Sequence, residues 1–326
     1  MPLDSQLGFA KESAYGTETT PNRFVEYTKE GIAAEVQRVS GKGLRAGRLV
    51  DRADRFVPAV TGYAGSIEFP VLSTGFAFLL EHMLGAVATS SNGDAYDHVG
   101  TIASLCGKGL TVQVNRPLGA CGDTDQAHTF SGGKIAKWTL SCEPGEDGAL
   151  KFEADLLFDD GTTGTALASA SYGAGAELLA WPSASVSIDG TDTPVTKWSV
   201  ECDNKLKDDR LQLRNSAARR EPVADDVREI KWTISRENDA LNTALVAAAA
   251  ADTILDDLVL TVRGAVEVSA GVLPGVVIEL PAARVDEGTH NVEGPGVMEA
   301  DWSGMALAPA SGEPITITVT STEATP

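Results

Sequence analysis

A chain of 326 residues with 46 acidic against 26 basic side chains and a net charge of −20 cannot wrap nucleic acid, because phosphate binding needs Lys and Arg to release counterions. It can still offer a surface that nucleic acid passes without sticking. An apolar fraction of 43% excludes a disordered chain, no stretch reaches the roughly 20 apolar residues of a membrane span, and the length suits two domains of ordinary size.

In chain order, a loop over 17–22 precedes an alternating segment, Ile32 to Val39, that reads as a half-buried strand. Gly41, Gly43 and Gly47 open a polar excursion that ends near Gly62. A strand over 65–71 follows. Ser73 or Thr74 can cap a helix reaching Ala86, with Phe76, Leu79, Leu80, Met83 and Leu84 on one face and Gly85 near its stop. Residues 88–108, rich in Ser, Gly, Asn and Asp, read as a surface loop, and 110–114 as a short strand. Lys134–Cys142 and Leu150–Phe158 pair as a hairpin, because the Pro-Gly and Asp-Gly steps of 143–148 are turn signals. Residues 159–180 read as the crossing between halves. Beyond it come strands at 197–203, 227–235, 258–262, 276–280 and 297–307, a helix over 239–251, and a last β segment, Ile315–Val319, with an open edge unless it finds a partner.

The second half repeats the order of the first. In each, an alternating strand leads into a basic excursion, then a strand, then an apolar helix, and later the tripeptide Glu-Ala-Asp, at 153–155 and at 299–301. Internal duplication changes the reading of a fold. It suggests two like domains, 1–175 and 176–326, placed side by side as in a ring.

Chemistry finds little purchase. Cys106, Cys121, Cys142 and Cys202 lack the spacing of a zinc site and read as free thiols, mostly buried. Asp123, Asp125 and His128, and likewise Asp189 and Asp192, lack the pattern of a calcium loop, and acids in such turns usually cap backbone amides. Asp97-His98 has no nucleophile of recognisable context, and Gly107-Lys108-Gly109 no phosphate-loop setting. The expectation is no enzyme, no metal and no cofactor. Met1–Gln6 lacks the basic and apolar regions of a secretory signal, so synthesis in a cytoplasm is expected.

Basic residues cluster in the two excursions: Arg38, Lys42, Arg45, Arg48, Arg52 and Arg55 in the first, Lys205, Lys207, Arg210, Arg214, Arg219 and Arg220 in the second. Solvated loops are one reading. The preferred one is docking arms that meet acidic surfaces of neighbouring copies, within or between rings, where opposite charges set register and partner choice.

Gly8-Phe9-Ala10-Lys11-Glu12-Ser13-Ala14-Tyr15-Gly16-Thr17 resembles the opening of tail tube proteins (major tail proteins) of long-tailed bacteriophages. So do Lys42-Gly43-Leu44-Arg45-Ala46-Gly47-Arg48 and the run from Gly62 through Gly65-Ser66-Ile67-Glu68-Phe69 to Leu79-Leu80. The resemblance is clearest over 7–86. It implies a β-rich α+β fold: two tandem tube domains, each a β-sandwich or partial barrel with one flanking helix, closing into a ring-shaped β-barrel on oligomerisation. Stacked rings would form the hollow tail tube through which the genome leaves the capsid. With the tube domain duplicated, three chains would make a ring otherwise built of six domains. The implied setting is the virion tail, assembled in a host bacterial cytoplasm with tail tip or baseplate, tape measure and terminator proteins.

Strands of a hollow barrel alternate, polar toward the lumen. That makes Glu35, Glu68, Glu153 and Asp155, and in the second half Glu201, Glu229, Glu299 and Asp301, the lumen-facing candidates. An acidic lining would repel DNA, which would pass without specific binding. A tail-like bacteriocin or gene-transfer particle would use the same subunit. A carbohydrate-binding β-sandwich is the rival of another class, and needs an aromatic platform that a 6% aromatic content scarcely supplies.

Overall fold

The computed structural model describes residues 5–44, 46–47, 50–117, 126–173, 175–238, 240–289 and 298–326. The first half contains β1 (Leu7–Lys11), β2 (Arg23–Val25), β3 (Lys29–Glu30), β4 (Ala33–Ser40), β5 (Phe56–Pro70), α1 (Leu80–Met83), β6 (Gly85–Asn92), β7 (Ala95–Ile102), β8 (Leu110–Asn115), β9 (Ala127–Cys142), β10 (Lys151–Phe158) and β11 (Asp160–Thr162). The second contains β12 (Ala184–Ile188), β13 (Thr191–Asp192), β14 (Lys197–Asp203), β15 (Leu206–Lys207), β16 (Val223–Ala224), β17 (Glu229–Glu237), α2 (Ala240–Ala251), β18 (Ile254–Leu255), β19 (Leu258–Arg263), β20 (Gly275–Leu280), β21 (Ala283–Thr289), β22 (Glu299–Ala306) and β23 (Thr316–Ser321).

The largest sheet runs unbroken through both halves in the order β18-β21-β22-β17-β14-β9-β10-β5-β3, with β4 also on the outer side of β5. Its midline is the antiparallel pair β9–β14, from Trp198 opposite Cys142 to Asp203 opposite Lys137. The N-terminal part of β9 continues into a second layer with β1, β2, β8 and β11. A separate sheet, β13-β12-β19-β20-β23-β7-β6, forms the corresponding layer for the second half and takes in the β7–β6 hairpin of the first. None of the sheets is closed. Between the layers lies one apolar core. The inward residues of the long sheet, among them Trp138, Leu140, Phe152, Val200, Trp232, Ile234 and Trp302, are almost wholly buried and alternate with polar outward neighbours, as a half-buried pleat requires.

The structure follows the expected strands closely where alternation is strict, and departs from expectation in three places. The helix expected over 73–86 shrinks to a 3-10 turn, Ala77–Leu79, and the four residues of α1. Gly85 then takes φ 113°, where a Cβ would meet the carbonyl oxygen of Ala103 at 2.2 Å, so the chain turns into a strand instead of another helical turn. Residues 88–108 are not a loop throughout, since β6 and β7 pair from Gly85–Ile102 to Asn92–Ala95 around the two-residue Gly93-Asp94 turn. The polar excursion after β4 ends at Phe56, because β5 runs 15 residues. The last β segment finds the partners its edge called for: β20 flanks β23 on one side and β7 on the other. The helix expected over 239–251 stands as α2, whose alanine-rich sequence favours it.

Candidate functional site

The outward face of the long sheet is polar across both halves. Glu68 stands opposite Glu153, which stands opposite Thr139, then Glu201, then Lys231. A neighbouring row reads Ser66, Asp155, Lys137, Asp203, Glu229. Further along, Ser235 faces Asp301 and Glu237 faces Glu299. Seven of the eight acidic candidates therefore share this face: Glu68, Glu153, Asp155, Glu201, Glu229, Glu299 and Asp301. Lysines are threaded among them. Lys137 lies 3.4 Å from Asp203, Lys205 lies 3.1 Å from both Asp203 and Glu229, and Lys231 lies 3.7 Å from Glu229. Glu68 beside Glu153, a directly opposed like-charge pair, costs stability, so this arrangement is not one that packing alone would select.

Glu35 has a different fate. The guanidinium of Arg219 binds it, and the Arg219 amide donates to the carbonyl of Thr61 at 2.8 Å. Arg219 belongs to the second basic excursion, and its side chain is only 3% exposed. Two residues on, Glu221 accepts from the Lys134 ammonium at 2.6 Å and from the Gly107 amide at 2.6 Å. Lys134, 2% exposed, also donates to the Leu105 carbonyl and lies over the Tyr15 ring at 5.3 Å. Burial pulls the Lys134 ammonium below its ordinary range, with Glu221 pulling back. Burial also raises the Tyr15 phenol, and Asp159, Glu221 and Glu12 push it further. The excursion between β14 and β17 is thus a strap folded onto the first half of its own chain.

Its other basic residues mostly serve that strap. Arg210 donates to the Glu221 carbonyl at 2.6 Å, and Arg214 to the carbonyls of Ala218 and Arg219 at 3.0 and 3.1 Å. Lys207 pairs with Asp225 at 3.3 Å, and Arg220 reaches Gln212 at 3.4 Å. The contacts these side chains make among the described residues are within the chain, and their positions in sequence do not announce them. In the first excursion, Arg38 lies on exposed β4, Arg52 donates to Asp54 at 2.7 Å, and Lys42 and Arg55 are exposed. Arg45 and Arg48 lie outside the described residues.

The two ends of the long sheet differ from its middle. Every residue of β4 from Ala33 to Val39 is exposed, and with the start of β5 it makes a two-stranded ribbon bearing Val36, Val39, Phe56, Val57 and Val60 in solvent. Such a ribbon is marginal alone in water. At the other end β21 is flanked by β18 only at Ala283 and Arg284.

Among the described residues, no group of three His, Cys, Asp or Glu is placed to hold a metal ion. Asp189 caps the amides of Asp256 and Asp257 at 2.9 and 3.3 Å, while Asp123 and Asp125 lie outside the described residues. His98 is a buried structural residue, bonded to Thr89 Oγ1 and the Glu323 carbonyl, each at 2.9 Å. Cys142 and Cys202 are buried free thiols, raised to about 11 and about 12 chiefly by burial, and Cys106 is an exposed one. Four tryptophans are core residues and only Trp181 is exposed, which leaves no tryptophan platform for a sugar. No helix of the described residues is long and apolar enough to cross a membrane.

His82, buried in α1 with no partner for Nε2, is pushed down from 6.5 to about 4 by burial, partly countered by Glu81. The folded value lies below the unfolded one, so the unfolded chain takes up the proton first. The contribution is complete above about pH 6.5 and is lost as pH falls toward 4, with about 2 kcal/mol gone by pH 5. Replacing His82 by Gln is expected to shrink the fall in melting temperature between pH 7 and pH 5. An unchanged fall would exclude His82 as its source.

A sheet continuous through the chain, polar on one face, open at both ends and braced by its own loops defines a class: β-rich proteins whose working parts are surfaces and edges. A family model described as phage tail tube protein matches residues 2–306, and the chain belongs to that family, whose members are structural components of the virion tail. A comparison with curated proteins found no match.

Proposed function

We propose that copies of this chain join head to tail into rings that stack as the tail tube, three chains to a ring. The observation that carries the proposal is the strand order. Along the long sheet the first half contributes β4-β5-β10-β9 and the second β14-β17-β22-β21. The outer layers match as well, β1-β8-β9-β11 against β12-β19-β20-β23. Both inner sets run through the same connections, with the basic excursion after the first strand and Glu-Ala-Asp on the third. This supports a duplicated tube domain, divided near residue 175.

In this reading, the last strand of one half pairs with the first strand of the next. Inside the chain that pair is β9–β14. Its only remaining equivalent is β21 with β4 of another copy. A heterologous contact of this kind closes into a ring if its rotation allows, and closure removes both exposed edges at once. The polar face then becomes the bore, where Glu68, Glu153, Asp155, Glu201, Glu229, Glu299 and Asp301 keep DNA phosphates from adhering during genome ejection. The apolar ribbon of β4 and β5 and the first basic excursion are left for contacts with neighbouring copies in the same or the adjacent ring. The other tail proteins would meet the tube at its two ends and in its bore.

Electron microscopy of the concentrated protein over a salt series tests the proposal, alone and on supplied tail tips. Stacked rings with three chains each are the expected result. Particles that stay monomeric on tail tips would overturn it.

A further inference from the structure

We propose that the acidic bulge of β21, Asp286 and Glu287, is the seat for the 41–55 excursion of a second copy of the chain. The inference rests on the head-to-tail reading and adds the contact that orders the copies.

The strap supplies the template. It is the connection between β14 and β17, and the 41–55 excursion is the matching connection between β4 and β5. The strap lies on the half of the molecule that precedes it in the sheet. There Glu221 covers Lys134, which stands opposite Leu157, two residues beyond Asp155. At the matching place of the second half, two residues beyond Asp301, Ser303 stands opposite Glu287. Each of these last strands carries its irregularity close by, between Ile135 and Lys137 in β9 and between Val285 and Glu287 in β21.

Burial and sign differ between the two places. Residues 131–135 are buried, Lys134 beneath Glu221 of the strap, whereas Asp286, Glu287 and Gly288 are exposed, with Asp286 accepting from Arg284 of its own strand and Glu287 beside it. A lysine met by a strap glutamate in one half is replaced by acids in the other. The excursion that would meet those acids carries exposed Lys42 and Arg55 and, bound to Asp54 of its own loop, Arg52, with Arg45 and Arg48 in the same stretch. The swapped signs keep each loop off the other's seat, which is how repulsion adds specificity to attraction. Position also points to β21. A Cβ at Gly62 would meet the Arg219 side chain at 2.4 Å, and on the repeat's register Lys231 stands where Gly62 does. The Arg219 contact cannot be copied there, so the neighbour's loop must seat further along, on the bulge.

The test uses the full chain with Asp286→Lys and Glu287→Lys together, with Arg52→Glu and Arg55→Glu together, and with all four. Sedimentation and electron microscopy read assembly, and circular dichroism reads the fold. Each double variant is expected to stay folded and to need at least about tenfold more protein to assemble, since each removes close opposite charges across an interface. The fourfold variant, with the signs exchanged, is expected to recover. Independently, Arg55→Cys with Glu287→Cys is expected to give covalent ladders on oxidation, against a control retaining Cys106. Normal assembly of the β21 double variant, or no ladder from assembled cysteine chains, overturns this inference alone. If the unaltered chain forms no rings even on tail tips, the self-assembly reading falls and this seat with it.

Discussion

Ala34→Pro is expected to yield a folded protein that forms neither rings nor tubes. The Gly31 amide donates to the Ser66 carbonyl at 2.9 Å, which points Gly31, Ala33 and Glu35 toward β5. Ladder alternation then aims the amides of Ile32 and Ala34 away from the sheet. The internal junction shows what such amides do. Asn204 donates to the Ala136 carbonyl at 2.9 Å, so Cys202 and Val200 share its direction toward β9. Val200, opposite Trp232, holds the place in β14 that Ala34, opposite Tyr63, holds in β4. Proline has no amide hydrogen, and strands tolerate it only where that hydrogen would face solvent. In the monomer Ala34 faces solvent, and the change should cost under about 1 kcal/mol. In a ring it would sit in the closing ladder. Ala33→Pro is the control, since it strikes the β5 side and should lower the melting temperature itself. Tubes of normal length from Ala34→Pro would end the case for closure through β4.

How much could be read in advance depended on how local each cause was. The β9–β10 hairpin was legible because its turn is written in Pro-Gly and Asp-Gly, and β14 because Trp198, Val200 and Cys202 alternate with polar neighbours. The same alternation put the acidic candidates on one face. Residues 73–86 misled because a buried stripe suits a short turn between sheets as well as a long helix. What decides the matter is Gly85 against Ala103, a contact between segments. The β6–β7 hairpin had a usable signal in Gly93-Asp94, a glycine-led pair that suits a two-residue turn, but its polar composition read as loop. The strap had no local signal. Lys134 and Glu221 are 87 residues apart, and nothing near either announces that the other will cover it. For the same reason Glu35 read as one more outward acid, when Arg219 already holds it.

Glu221→Ala is expected to cost about 3 kcal/mol and to release the strap, because the change strands a buried ammonium. Lys134 would keep only the Leu105 carbonyl and the Tyr15 ring, and breaking a buried pair from one side typically costs 3–5 kcal/mol. Glu221 is itself 22% exposed, so water can reach the vacated place and the lower end of that range applies. Removing both charges should hurt less. Lys134→Met keeps the length of the side chain and abolishes its need for a partner, so Lys134→Met with Glu221→Ala should recover most of the loss, the pattern of a coupled pair in a double-mutant cycle. Denaturant unfolding gives the energies, and hydrogen exchange over 205–226 reports the strap. The two readouts separate a fold held by this pair from a loop merely resting on it. If exchange in the strap stays slow in Glu221→Ala, then Arg219 on Thr61 and Arg228 on the Leu84 and Ala103 carbonyls hold it without Glu221. In that case the sign exchange between Lys134 and Glu287 would still choose partners, but it would not bear the load.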